Sequence, residues 1–243
     1  MDSKVLESLM IPEYEIANEG LGSKLKEITN KIFRFITQII NTIIRIISNL
    51  INKFKHGKTI HNDKETYQKA RALSNKYYDD LCTLIVHLPD SMGLMMTKTF
   101  SLHIYGIREP EKDVYNKYIN TIDREYEIYN QKFISMKNDV KDNKLYFTEY
   151  EHNTIIERLE QSKDRMEHIA SSIKKSIDEE VNTYDFDRNN KTEDESIKQQ
   201  KRINEFMKYI SKYQSLFGNI QSFVISNVSS DIITDNDRYK YEE

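Results

Sequence analysis

The sequence has no tryptophan, one cysteine, three prolines and six glycines in 243 residues. A lone Cys82 excludes an intrachain disulfide framework and any site that needs several thiolates from one chain. It suits a reducing compartment. With so few helix breakers, long uninterrupted helices are favoured. No Gly-rich phosphate loop, His-Glu-x-x-His or Gly-x-Ser-x-Gly occurs, so the common signatures of nucleotide binding, zinc hydrolysis and serine catalysis are missing. The first residues lack the basic region and long apolar core of a secretory signal, and they are not an Arg-rich transit peptide. A charged fraction of 31% excludes a mostly membrane-embedded chain.

What is present is a long, basic, isoleucine-rich stretch, Ser23–Lys55. Ile28, Ile32, Phe35, Ile36, Ile39, Ile40, Ile43, Ile44, Ile47, Leu50, Ile51 and Phe54 recur in steps of three and four, one side of a 3.6-residue helix, and Phe33 and Ile46 widen that stripe. Lys31, Arg34, Arg45 and Lys53 lie opposite, among Gln38, Asn41, Thr42, Asn49 and Asn52. Ser23 is positioned as an N-cap and Gly57 as a stop. Only ten residues separate Arg34 from Arg45, and Thr37, Gln38, Asn41 and Thr42 are among them. A span needs about 20 predominantly apolar residues, so a simple transmembrane helix is not expected. Isoleucine is a mediocre helix former on its own, so the stripe must be buried for the helix to hold. It has three places to go: the rest of this chain, copies of itself, or a lipid interface, which the Lys and Arg of the polar face would suit.

Charge is distributed unevenly. Residues 1–19 carry a net −4, residues 20–58 a net +7, and the rest a net −6. The leader's last residues read Ile16-Ala17-Asn18-Glu19, and Gly20 follows where the charge reverses. An acidic leader of this length, ending in Ala-x-Glu-Gly before a basic amphipathic helix, resembles internal virion proteins of large contractile-tailed bacteriophages. The resemblance covers about the first fifty-five residues. It implies a structural protein of the virion, assembled in the host cytoplasm and drawn into the prohead by its leader. A prohead protease would then cut between Glu19 and Gly20, with Ala17 as the upstream recognition residue. The partners implied are other virion proteins or further copies of this chain.

Past a polar linker at His56–His61, the pattern predicts further helices. One is capped by Asn62 with Glu65 and runs to about Leu88, where Pro89-Asp90-Ser91 breaks it. Met92–Ile107 fits strand and helix periods alike and is read as a short buried helix. Tyr115, Tyr118, Ile122, Tyr126, Tyr129, Phe133, Met136 and Val140 form one seam. After a turn at Asp142-Asn143 and a capping box of Thr148 with Glu151, Ile155, Leu159, Ser162, Met166, Ile169, Ile173 and Ile177 form another. The two read as an antiparallel hairpin. A last helix, opened by Thr192 and Glu195, runs through Val228. The expectation is an all-α protein, an elongated helical bundle with a coiled-coil-like hairpin. Its organisation is an acidic leader over 1–19, the basic amphipathic helix over 20–58, the bundle over 59–228 and an acidic flexible tail over 229–243.

No constellation of catalytic residues stands out, and neither enzymatic activity nor a cofactor or metal is expected. Glu149-x-x-His152 is one half of a di-iron pattern that needs two such pairs and two further glutamates, so a solvated polar face is the simpler reading. Cys82 with His87 or His103 lacks an orienting third group and an oxyanion site. The basic helix permits non-specific, salt-sensitive contact with DNA but carries no reader motif. Two other functions remain open: a membrane-associating helical protein acting on the host cell, and a cytosolic oligomeric helical scaffold.

Overall fold

The computed structural model describes residues 21–57, 59–60, 64–104, 112–141, 143–176 and 193–233. In chain order these form α1 (Leu21–Lys55), β1 (Thr59–Ile60), α2 (Lys64–Cys82), a π-helical turn at Thr83–His87, α3 (Leu88–Ile104), α4 (Lys112–Val140), β2 (Leu145–Thr148), α5 (Glu149–Ser176), α6 (Glu193–Asn227) and β3 (Val228–Ile233). The protein is all-α in class, with one small sheet. Helix α1 begins at Leu21, so Ser23 lies inside the helix instead of capping it. The residues expected to cap α2 and α6, Asn62 and Thr192, lie outside the described residues, as does the whole leader.

The described residues fall into two compact units: those within 1–42, 91–124 and 166–215 form one, and those within 43–90, 125–165 and 216–243 the other. Helix α1 is therefore no detachable arm, because its first part belongs to one unit and its last part to the other. In the first unit Ile32, Phe35, Ile36, Ile39 and Ile40 of α1 are buried, as are Met92, Met95 and Met96 of α3. Those methionines confirm the helical reading of residues 92–104; residues 105–107 lie outside the described residues. Tyr213 is fully buried and donates its hydroxyl to the Ile122 carbonyl at 2.8 Å, which satisfies the polar tip of a large core side chain.

The second unit carries the sheet. Its strand order is β1-β3-β2, with both pairings parallel. The expected flexible tail is thus corrected at its start: residues 229–233 belong to the central strand, held on both sides. Thr59 pairs with Ile232 and Ile60 with Ile233, so part of the expected linker is an edge strand. On the other side Leu145 pairs with Val228 and Phe147 with Ile232, with an irregularity between them. The hairpin turn accordingly contains a strand as well as a reversal. The reversal itself places Lys141 at φ 46, with the Asn143 N–H on the Val140 carbonyl at 2.8 Å. Asn227 steadies it by donating to the Lys141 carbonyl at 2.7 Å.

Gly57 explains how β1 reaches β3. A Cβ placed on it would lie 1.7 Å from the Ser230 carbonyl oxygen, so only glycine permits this approach of the two backbones. Pro89 does not break the helix as expected. A proline lacks an N–H and crowds the carbonyl four residues earlier. The chain accommodates it by widening Thr83–His87 into a π turn, closed by the Leu88 N–H on the Thr83 carbonyl, and helix resumes at Leu88.

Candidate functional site

The polar groups that converge do so in the second unit, where α2, β2 and the start of α5 meet. Helix α2 turns Arg71, Ser74 and Tyr77 inward, a spacing of three that keeps them on one face. Strand β2 is an edge of the sheet, and this face of α2 closes it. Ser74 Oγ accepts the Tyr146 N–H at 2.8 Å, and Arg71 donates to the Tyr146 carbonyl at 3.2 Å. The same guanidinium grips Glu151 through two bonds, Nη1 to Oε2 at 2.8 Å and Nη2 to Oε1 at 3.2 Å. Glu151 also completes the expected capping box, taking the Thr148 N–H at 2.8 Å while its own N–H meets Thr148 Oγ1 at 3.3 Å. One carboxylate thus caps α5, neutralises a buried arginine and, through that arginine, seals a strand edge.

Next to Glu151 sits His152, which is 1% exposed. A solvated polar face, expected for Glu149-x-x-His152, holds for the exposed Glu149 but not for the histidine. Its ring meets Phe54 edge-on, with centroids 5.2 Å apart, and lies 6.4 Å from the Phe147 ring. Neither ring nitrogen has a partner in hydrogen-bonding geometry. Burial lowers the pKa below the ordinary histidine value, while the nearby Phe54 backbone and the Glu151 and Asp231 carboxylates pull weakly the other way.

Cys82 is buried beside Tyr78 and Arg158, both of which reach its sulfur. Burial pushes its thiol pKa up and outweighs the Arg158 charge, so at neutral pH it is a thiol and not the thiolate that nucleophilic attack requires. The same burial, with Cys82 as neighbour, pushes Tyr78 up to about 12. His87 is exposed in the π turn, and the side chain of His103 lies outside the described residues. Asp164 and His168 are exposed on α5, and no group of three or more His, Cys, Asp or Glu fit to hold a metal occurs among the described residues.

Of the twelve stripe residues, Ile32, Phe35, Ile36, Ile39, Ile40, Ile43, Ile47, Leu50, Ile51 and Phe54 are buried, Ile44 is half-buried, and the side chain of Ile28 lies outside the described residues. Of the three places open to the stripe, these side chains take the first: they are core of this chain. Burial of each such side chain contributes about 1.5–3 kcal/mol, which offsets the modest helix propensity of isoleucine. Asn30–Lys55 is long and apolar enough to cross a membrane by length and composition alone, a test that core helices also pass. On the opposite face Arg34 and Arg45 are exposed, Lys31 pairs with Glu27 at 2.9 Å, and Lys53 donates to the Ile225 carbonyl at 3.1 Å near the end of α6. Burial lowers the Lys53 pKa, and the Lys144 charge adds to that shift.

The expected cleavage residues Ala17, Glu19 and Gly20 lie outside the described residues. Arg71, Tyr78 and His152 were not singled out by sequence as interior groups. The one available signal was the spacing of Arg71 with Ser74 and Tyr77 ahead of the apolar Leu81. Comparison with protein-family models, curated proteins and solved structures finds no match.

Proposed function

We propose that this chain is a non-enzymatic structural protein of a bacteriophage virion, carried into the particle by its acidic leader and cut between Glu19 and Gly20. The observation that carries the reading is the position of Ala17-Asn18-Glu19-Gly20. It stands where the charge reverses and immediately before α1, which begins at Leu21. A cut there removes the acidic residues and leaves intact a helix whose buried stripe serves both units. The non-enzymatic part rests on where the reactive side chains are: Cys82 is a buried thiol, Glu151 is committed to Arg71 and a helix cap, and His152 is enclosed by aromatic rings.

Because the stripe is occupied by this chain's own core, contact with other virion proteins, with copies of itself or with packaged DNA falls to the polar surface. Arg34 and Arg45 are exposed cations of α1 that could meet phosphate, a contact that added salt weakens. A membrane role would require the helix to leave the core first. The test is the intact mass and N-terminal sequence of the protein recovered from purified particles. A chain starting at Gly20 is expected. A chain starting at Met1 in mature particles removes the processing reading, and absence from the particles removes the virion reading.

A further inference from the structure

Among the described residues of the second unit is a buried histidine whose ring the fold leaves without hydrogen bonds. His152 is 1% exposed, and both its nitrogens lack hydrogen-bond partners. Its surroundings are the Phe54 ring near the end of α1 and the Phe147 ring of β2. A neutral imidazole packs there as a flat, mostly apolar plate. An imidazolium must place two charged N–H donors in the same space, where the Phe54 backbone and the Asp231 carboxylate attract it but neither stands in hydrogen-bonding geometry. A cation–π contact with a phenylalanine ring returns less than the burial of an unpaired charge costs.

We propose that His152 is an acid-sensitive latch: when it is neutral it pins the end of α1 to the sheet through Phe54 and Phe147, and when it is protonated that contact opens. The charged and titratable groups around it do not prevent this. On its own helix, Glu151 is committed to Arg71 of α2 and to the Thr148 N–H. On β3, Asp231 attracts the imidazolium, and on α1, Lys53 repels it. Tyr146 is the only titratable side chain of β2. Opening frees Phe54, and with it the buried Leu50 and Ile51 one turn earlier. The stripe that is core at neutral pH then becomes available from its C-terminal end. This inference does not depend on the leader or its cleavage.

The sign follows from linkage. A histidine whose folded pKa lies below its unfolded value near 6.5 binds more protons unfolded, so its stabilising contribution is complete above about pH 6.5 and is lost as pH falls. The full chain is unfolded in urea at pH 7.5 and at pH 5.0, beside His152→Phe, which keeps an aromatic plate that cannot be protonated. Between those pH values the unfolding constant of the wild type should rise several-fold more than that of the variant. An equal pH dependence in both overturns the proposal. Should His152→Phe fail to fold, the imidazole carbon–proton resonances of the wild type decide instead. Each of the 6 histidines is titrated, with the exposed His56, His87 and His168 assigned by single glutamine substitutions. A buried ring that titrates below the exposed ones and broadens or unfolds as it does so is the expected result, and a His152 that titrates at or above 6.5 with no structural change overturns it.

Discussion

Glu151→Gln isolates what the buried ion pair does. Glutamine keeps the side-chain oxygen that caps α5 but removes the charge that neutralises Arg71, which is 7% exposed. An unpaired buried charge costs about 3–5 kcal/mol. The Glu151 side chain is 16% exposed, so some water reaches the site and the lower figure, about 3 kcal/mol, is expected. Adding Arg71→Leu removes the orphaned guanidinium and should recover most of the loss. It cannot recover all of it, because the Tyr146 carbonyl at the sheet edge then loses its donor. Arg71→Leu alone should cost less than Glu151→Gln, because the remaining carboxylate is the more exposed partner and still holds the Thr148 N–H. Urea unfolding followed by circular dichroism reads all three. With a slope of about 3 kcal/mol/M, the midpoint of Glu151→Gln should fall by about 1 M. The reasoning is refuted if Glu151→Gln unfolds within about 0.5 kcal/mol of wild type, or if the double variant is less stable than Glu151→Gln.

Three further outcomes follow from the geometry. Gly57→Ala should displace β1 from β3, because the new methyl would meet the Ser230 carbonyl at 1.7 Å; faster amide exchange over residues 228–233 is the readout, and unchanged exchange contradicts it. Ile43→Ala removes a fully buried side chain and should cost about 2–5 kcal/mol, whereas Arg45→Ala, two positions on and exposed, should stay within about 0.5 kcal/mol. Both are measured by the same urea titration, and equal effects would mean that the stripe is not core. Cys82 should react with a thiol reagent at pH 8 at least about a hundredfold more slowly in the native protein than in urea, since it is both buried and raised in pKa; a native rate near the denatured one would place the thiol at the surface.

The helices were legible because their signals are long and repeated. The seam of Ile122, Tyr129, Phe133, Met136 and Val140, and that of Ile155, Leu159, Met166 and Ile173, are buried as their spacing requires. The capping box of Thr148 and Glu151 is a local pattern and was read correctly. The sheet was not legible. Its strands have two, four and six residues, and the central one reads Val-Ser-Ser-Asp-Ile-Ile, polar where alternation would be sought. Parallel pairing between segments as distant as Thr59 and Ile232 leaves no local trace. The polar interior was missed for a related reason. Arg71 and His152 look like surface residues until Glu151 neutralises the first and two phenylalanine rings enclose the second. Pro89 misled because a π turn absorbs it, an adjustment that depends on backbone hydrogen bonds and not on side-chain pattern.

The central claim is that the isoleucine stripe of α1 is the protein's core and not a surface held ready for a partner. Hydrogen–deuterium exchange of the intact protein at neutral pH, followed by peptide over residues 32–54, tests it most directly. Packing of Ile32 to Phe54 as described predicts amides protected to the level of global unfolding, matching those of the buried seam from Ile203 to Val224 on α6. Exchange of the stripe within seconds, while α6 stays protected, would show a helix that stands apart from the core and would contradict the account.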